Sequence, residues 1–290
     1  MTTEQECPAC GWPQCEPLFE TTDRLYRTTS ERFQVVECGR CGVMHLAPRP
    51  GAAELLRYAR ASAWPERRET LADRIESAFR RFVLAGDVRF VVRALDRAGV
   101  SGPVLDLSPD GAEFRRALAE SGIDAAGEAA RGSCAAVTML HVLEHVPDPA
   151  ASLEAARELL RAAGRLIVQC QNAASWQFLL LGEKWSGLDV PRHLIHFRER
   201  DLEALLEYCG FEVLRRNHFS RRSAADLATS VAPWLDPAVR RARGAAESEF
   251  IKLLKHLLYI ALAAAAVPFT LAGAACRAGA RITIEARPKW

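Results

Sequence analysis

From Gly102 onward, the apolar residues fall into short runs that alternate with stretches of helical periodicity. Short apolar runs bounded by turn residues are typical of buried strands, whereas apolar positions that recur every three to four residues are typical of helices. The predicted strands are 103–107, 135–140, 165–169, 211–214 and 281–285, and the predicted helices are 111–120, 150–163 and 201–209. Strands that alternate with helices predict an α/β fold whose parallel sheet is covered on both faces.

The boundaries of these patterns divide the chain into four parts. Residues 1–48 have no helical periodicity, and residues 52–98 have it throughout except at Trp64-Pro65, where proline starts a new helix. The helix 150–163 should end at Gly164, which suits a C-cap. The parts are an N-terminal module (1–48), a helical connector (49–100), an α/β core (101–220) and a hydrophobic helical insertion with the final strand (221–290).

The segment Leu257–Cys276 carries no charged side chain, and it is flanked by basic residues. Its length meets the criterion for a membrane span, but it is rich in alanine and is interrupted by Pro268 and Gly273. Three structures are compatible with this pattern: a helical hairpin packed on the domain, which we favour, a membrane span, or a helix that contacts a membrane surface or a lipidic substrate.

Composition and charge narrow the function classes. With 49% hydrophobic and 26% charged residues, the chain is typical of a globular protein, and its formal net charge of +2 gives no general attraction to nucleic acid. The first residues lack the basic and apolar regions of a signal peptide, so we expect a cytoplasmic protein, with peripheral membrane association through the apolar segment as an alternative. Nine cysteines in such a chain indicate metal ligation and not a disulfide framework.

Four of these cysteines form two Cys-x-x-Cys pairs: Cys7, Cys10, Cys38 and Cys41. Two residues between cysteines allow one tight turn to present both thiolates to one ion, and two such turns complete a tetrahedral Zn²⁺ site. With four thiolates the site is closed, so we expect a structural zinc ribbon, for which the metal supplies much of the folding free energy. Cys15 and His45 are expected to lie outside this site.

A turn between the first predicted strand and its helix suggests a cofactor site. Asp106 ends the strand, the turn 107–110 follows, and Gly111 begins the helix, while Glu128 follows a second short strand. In dinucleotide-binding sheets the turn backbone lies under the ligand, and an acid after the second strand takes the ribose hydroxyls. The pattern therefore favours a nucleoside cofactor at the carboxyl edge of the sheet, although ordinary βαβ units share it.

Two longer strings give the chain a family resemblance. Residues 137–149 (VTMLHVLEHVPDP) and 189–197 (DVPRHLIHF) closely resemble the class I S-adenosylmethionine-dependent methyltransferases, and among them the ubiquinone-type O-methyltransferases. Residues 41–50, together with the cysteine pairs, are similar to the zinc-ribbon members of that branch, which include sugar C-methyltransferases. The resemblance implies a Rossmann-like sheet and methyl transfer from S-adenosylmethionine to an oxygen or carbon of a small-molecule acceptor in a biosynthetic pathway.

The same resemblance implies roles for particular residues. The cofactor ligands are expected among Asp106, Ser108, Asp110, Gly111, Glu128 and His141. His193 is the first choice for the general base that removes the acceptor's proton, with His141 second and His196 third. His141, Glu144 and His145 are either ligands of a divalent cation, as in some ubiquinone-type relatives, or polar groups that cap a helix start.

Two departures from the family pattern stand out. The turn after the first strand is glycine-rich in the family, whereas Ser108, Pro109 and Asp110 occupy it here. Only residues 129–134 separate Glu128 from the next predicted strand, and a parallel crossover needs about a dozen residues. We therefore expect a trimmed sheet that lacks the usual second helix and third strand. The alternative to an enzyme is a non-catalytic methyltransferase-like adaptor that binds a protein partner through its ribbon or through residues 245–278.

Overall fold

The computed structural model describes residues 6–61, 70–109 and 111–289. The strands are β1 Cys15–Thr22, β2 Arg32–Cys38, β3 Met44–Ala47, β4 Val104–Asp106, β5 Ala125–Ala126, β6 Cys134–Leu140, β7 Leu160–Gln171, β8 Ile195–His196, β9 Phe211–Asn217 and β10 Arg281–Pro288. The helices are α1 Ala52–Ala61, α2 Leu71–Ala98, α3 Gly111–Glu120, α4 Pro149–Leu159, α5 Trp176–Leu181, α6 Glu199–Tyr208, α7 Arg222–Val231, α8 Pro237–Ala242 and α9 Glu249–Ala275. The interruption predicted at Trp64-Pro65 lies outside the described residues.

The main sheet has the strand order β5-β4-β6-β7-β10-β9. Strands β5, β4, β6 and β7 are parallel, and β10 runs antiparallel to both of its neighbours. Every residue of β6 is buried, as expected for a central strand covered on both faces. The predicted α/β fold is confirmed.

The sheet is trimmed as the sequence predicts. Strand β5 is followed directly by the short connection 127–133, and β6 then enters the sheet on the far side of β4. The described connection contains neither a helix nor a strand, so β5 is the edge of the sheet. The wall that a further helix and strand would supply beside β5 is therefore missing.

A second, antiparallel sheet with the order β1-β2-β3-β8 contains the zinc-ribbon module. Its fourth strand comes from the core: Met44 pairs with His196, and His45 pairs with Ile195. The ribbon and the core are thus joined by a shared sheet, which places the loop before β8 against the ribbon.

The end of α4 differs from the prediction. The helix ends at Leu159, and Gly164 lies within β7, so Gly164 is not a C-cap. Leu160 is already extended and pairs with Cys134 of β6, and the next pairing joins Ala136 to Arg165. Pairing with the sheet therefore overrides the helix propensity of the alanines at 162 and 163.

The apolar C-terminal segment forms one continuous helix, α9, so the predicted hairpin is wrong. Its buried positions recur every three to four residues and pack mainly against α7, with further contact to α2. Of the described residues, only α9 forms a helix long and apolar enough to cross a membrane, and 28% of its most apolar window is buried. Large exposed side chains such as Phe250 and Leu258 lie along it. Its contact with a membrane or a partner stays a prediction.

Candidate active site and zinc site

A cavity of about 800 Å³ lies at the carboxyl ends of β4, β6 and β7. Its floor includes Ser108, His141 and Gln169, which end or follow these strands. Helices α2, α7 and α9, the loop 186–193 and the ribbon residue Tyr26 form its walls. In open α/β sheets ligands bind at this edge, so the cavity is the candidate active site.

Asp106 does not line the cavity itself but lies buried behind Ser108 and Gly111, where a compact set of hydrogen bonds holds it. Its Oδ1 accepts from the backbone amide (3.2 Å) and hydroxyl (2.6 Å) of Ser108 and from the Thr138 hydroxyl (2.8 Å). Its Oδ2 is buried and has no hydrogen-bond partner, although an Arg115 nitrogen lies 3.6 Å away. Burial raises the pKa of Asp106, and the hydrogen bonds from Ser108 and Thr138 oppose that rise.

The first residue of α3, Gly111, lies against this carboxylate. A Cβ at Gly111 would be 2.0 Å from Asp106 Oδ2, so a larger residue at this position would displace the carboxylate. The negative charge of Asp106 beneath this turn suits a nearby ammonium group, and the N-terminus of α3 suits a carboxylate. Together they fit the amino-acid end of S-adenosylmethionine, and Ser108 and Gly111 both line the cavity.

The nucleoside end is less complete. Glu128 follows β5 as predicted, but its side chain is exposed and does not line the cavity. Since β5 is the edge of the sheet, no further strand of the described chain lies beside it to direct the side chain of Glu128 toward the cavity. Its role with the ribose stays a prediction, and Asp110 lies outside the described residues.

His141 lines the cavity, but both of its ring nitrogens are occupied. Its Nδ1 lies 3.2 Å from Glu144 Oε1, and its Nε2 contacts Gln169 Oε1 (3.0 Å) and the Arg281 guanidinium. Burial lowers the pKa of His141, and the charge of Arg281 lowers it further. Both ring nitrogens of His141 thus have partners within the protein, and its role as a second base stays a prediction.

The divalent-cation site predicted at His141, Glu144 and His145 does not form. His145 Nδ1 donates to the Arg192 carbonyl (2.9 Å), and Glu144 accepts from the backbone amide of Gln171 (2.9 Å). Within the described chain, only the four cysteines bring three or more ligand atoms within 4.8 Å of one another. Burial raises the pKa of Glu144, but the interaction with His141 outweighs this effect, so the pKa lies below its ordinary value. Glu144 is therefore ionised and holds its neighbours in place.

His193 has the geometry of a general base. It lines the cavity, and its Nδ1 donates to the Gly187 carbonyl at 2.9 Å. Since that bond fixes the proton on Nδ1, the lone pair is left on Nε2. Burial and the neighbouring His145, whose ring centroid is 4.7 Å away, lower the pKa of His193 to about 4. The imidazole is therefore neutral at pH 7.

His196 lies away from the cavity, and its catalytic role stays a prediction. It belongs to β8, is only 2% exposed and does not line the cavity. Neither of its ring nitrogens has a hydrogen-bond partner in the structure, and burial lowers its pKa to about 3. Pairing of β8 with the ribbon turns this histidine into the core.

Several polar residues of the cavity wall were not singled out in the sequence. Arg281 makes a double hydrogen bond to Asp226 (2.7 and 3.0 Å), and Gln169 donates to Asp87 (2.9 Å). The arginine at the start of the buried strand β10 and the single acid of α7 are the signals that could have found the first pair.

The predicted zinc ligands converge. The Sγ atoms of Cys7 and Cys41 are 3.5 Å apart, and those of Cys10 and Cys38 are 3.6 Å apart. A tetrahedral Zn²⁺ with Zn–S bonds of about 2.3 Å needs S–S distances of roughly 3.8 Å. The four sulfurs therefore fit one zinc ion. Cys15 lies outside the cluster, with its Sγ 3.3 Å from His45 Nε2.

Residues 78–216 match the model of a family described as a methyltransferase domain. Over 167 residues the chain is 29% identical to a ubiquinone biosynthesis O-methyltransferase of Xanthomonas axonopodis pv. citri, covering 51% of this chain and 70% of that protein. It is also 34% identical over 70 residues to the enzyme of the same name from Xanthomonas oryzae pv. oryzae, covering 23% of this chain and 29% of that protein. A solved S-adenosylmethionine-dependent methyltransferase from Archaeoglobus fulgidus aligns with 73% of this chain and 97% of its own at 14% identity, with a TM-score of 0.40.

Residues 78–216 thus match a methyltransferase domain, and this match together with the curated relatives supports the class I S-adenosylmethionine-dependent methyltransferase that the motifs predict. The names of the curated relatives agree with the ubiquinone-type branch. The likeness of the ribbon to that of sugar C-methyltransferases stays a prediction.

Proposed function

We propose that this protein transfers a methyl group from S-adenosylmethionine to a hydroxyl oxygen of a small acceptor held in the cavity. The observation that carries the proposal is His193, a neutral imidazole on the wall of the same cavity that contains Ser108 and Gly111 at its other end. O-methylation is also what the names of the curated relatives describe.

One set of residues binds the cofactor, and His193 accepts the proton. S-adenosylmethionine supplies an electrophilic methyl group when bound. Asp106 and the start of α3 hold its amino-acid end, which leaves the acceptor the part of the cavity bounded by His193, α7 and α9. His193 Nε2 accepts the proton of the acceptor hydroxyl, and the Gly187 carbonyl stabilises the resulting imidazolium through Nδ1–H. The buried walls exclude water and fix the angle of approach, on which methyl transfer depends.

Labelled cofactor tests this proposal whatever the identity of the acceptor. Zinc-loaded protein is incubated with trideuteromethyl S-adenosylmethionine and a fractionated small-molecule extract, and products are sought by mass spectrometry. We expect a product that gains one labelled methyl group on oxygen, and we expect His193→Gln to abolish it. The proposal fails if no fraction is labelled, or if the label is found only on carbon or nitrogen.

A further inference from the structure

Arg222 is the arginine of the cavity wall that lacks a hydrogen-bonded acid among the described residues. It is the first residue of α7, it lines the cavity, and 47% of its side-chain surface is accessible. The other arginines of the cavity lining are paired. Arg80 pairs with Glu113, Arg192 with Asp23, and Arg281 with Asp226.

The two carboxylates whose charges act on Arg222 already accept hydrogen bonds from other groups. Asp226 lies 3.9 Å from Arg222 Nε, beyond hydrogen-bond distance, and both of its oxygens accept from Arg281. Asp236 is the N-cap of α8, where it accepts from backbone amides and from the Thr229 hydroxyl. Two guanidinium groups thus flank the single carboxylate of Asp226, and within the described parts of the chain the guanidinium of Arg222 is the one that makes no hydrogen bond to an acid.

Burial lowers the pKa of Arg222, but the negative charges of Asp226 and Asp236 outweigh this effect, so the pKa lies above its ordinary value and the side chain stays a cation at every relevant pH. A guanidinium presents its donors as a planar fork that matches the two oxygens of a carboxylate or phosphate. An accessible fork of this kind on the wall of a ligand-sized cavity is suited to binding an oxyanion.

We infer that Arg222 forms a specificity subsite that binds an oxyanion of the methyl acceptor, either a carboxylate or a phosphate ester. The inference rests on the proposed function, since it assigns the acceptor to this cavity. The acceptor is therefore a small molecule that carries a hydroxyl within reach of His193 and an anionic group directed at α7. Arg222 selects among acceptors and takes no part in proton transfer.

Three small probes test the subsite directly. The affinities of benzoate, phenyl phosphate and benzyl alcohol for the zinc-loaded protein are measured by isothermal titration calorimetry. We expect at least one anionic probe to bind about tenfold more tightly than benzyl alcohol or better, because a charge-assisted double hydrogen bond is available to it alone. Preference for benzoate identifies a carboxylate subsite, and preference for phenyl phosphate identifies a phosphate subsite.

Variants attribute this preference to one residue. Arg222→Gln should remove it, lowering the affinity of the anionic probe about tenfold or more and leaving benzyl alcohol unchanged. Arg131→Gln is the matched control, since Arg131 is 76% exposed, pairs with Glu158 and does not line the cavity. If Arg222→Gln does not fold, Arg222→Lys replaces it. Loss of the planar fork should then lower the affinity of the anionic probe about threefold or more.

The inference is overturned if neither anionic probe binds more tightly than benzyl alcohol, or if the preference survives substitution of Arg222. None of these probes needs S-adenosylmethionine or methyl transfer. Loss of the proposed function, seen as an absence of labelled product, would therefore leave this result standing, and a negative probe result would leave the methyl transfer standing.

Discussion

Arg192 and Asp23 form a buried, double ion pair that joins the ribbon to the loop carrying His193. Arg192 Nη2 is 2.9 Å from Asp23 Oδ1 and Nη1 is 3.2 Å from Oδ2, and both side chains are almost fully buried. Burial raises the pKa of Asp23, but the hydrogen bonds and charge of Arg192 outweigh this effect and bring the pKa down to about 2. The ribbon module therefore helps to position the proposed base.

Asp23→Asn should strongly destabilise the fold. The change leaves the Arg192 charge buried with one fewer ionic partner, which typically costs about 3–5 kcal/mol. Urea unfolding at pH 7, followed by circular dichroism, measures this loss. Glu20→Gln is the control, because the ion pair of Glu20 with Arg32 is more than half exposed and should contribute less than about 1 kcal/mol.

The same pair makes stability depend on pH. Asp23 titrates near its ordinary pKa of 3.8 when the chain is unfolded and near 2 when it is folded. The stability it contributes is therefore complete above about pH 4 and is lost as the pH falls toward 2. In Asp23→Asn this part of the acid transition should disappear. An unchanged acid profile in the variant would contradict the ion pair.

His193→Gln should lower the rate of methyl transfer about 100-fold or more, because a positioned base contributes that much in typical enzymes. With a pKa of about 4, His193 keeps its lone pair throughout the neutral range. Its contribution to the rate should therefore be constant from about pH 6 to 8 and should fall only as the pH approaches 4. His218→Gln serves as control, since His218 pairs with Glu199 outside the cavity. A rate that survives in His193→Gln would exclude His193 as the base.

His196→Leu should stabilise the protein, and more so in mild acid. Two buried ring nitrogens without partners impose a desolvation cost of about 1–3 kcal/mol, which leucine removes. In addition, the unfolded chain binds a proton at His196 near pH 6.5, whereas the folded chain binds it only near pH 3. Wild-type stability therefore falls as the pH drops through this interval, and the variant avoids that loss. The expectation fails if the stability difference between variant and wild type is the same at pH 8 and pH 5 in urea titrations.

The purified protein should contain one zinc ion per chain, measured by inductively coupled plasma mass spectrometry. Cys38→Ser should lose the ion, and the ribbon should unfold because the metal supplies much of its stability. Cys15→Ser should retain the ion, since Cys15 is not one of the four cysteines whose sulfurs all lie within 4.8 Å of one another. Zinc that persists in Cys38→Ser, or that is lost in Cys15→Ser, would show that the ligand set is wrong.

Local patterns predicted much of the fold. The helix α3 has the bounds 111–120 that the sequence predicts, because its apolar periodicity lies between clear turn signals. The trimmed sheet is predicted from the length of one connection, since too few residues separate Glu128 from β6. The hairpin prediction for α9 is wrong because Pro268 and Gly273 do not break the helix but lie inside it.

The candidate site was harder to predict, since it depends on contacts between distant residues. His193 and His196 are three residues apart in one string, yet only His193 lines the cavity. That difference is set by the pairing of β8 with β3, about 150 residues earlier in the chain. Likewise Asp226 and Arg281 come together from α7 and β10, and neither local pattern indicates the other.

Calorimetric titration with S-adenosylhomocysteine, the demethylated product, tests the central claim most directly. The account predicts one binding site per zinc-loaded chain, with a dissociation constant between about 1 µM and 1 mM. Asp106→Asn should weaken binding about tenfold or more, because it removes the charge that meets the ammonium group. Glu120 is an exposed acid at the end of α3 and does not line the cavity, so Glu120→Gln should leave binding unchanged. Absence of binding to the wild-type protein, or equal affinity in Asp106→Asn, would contradict the account.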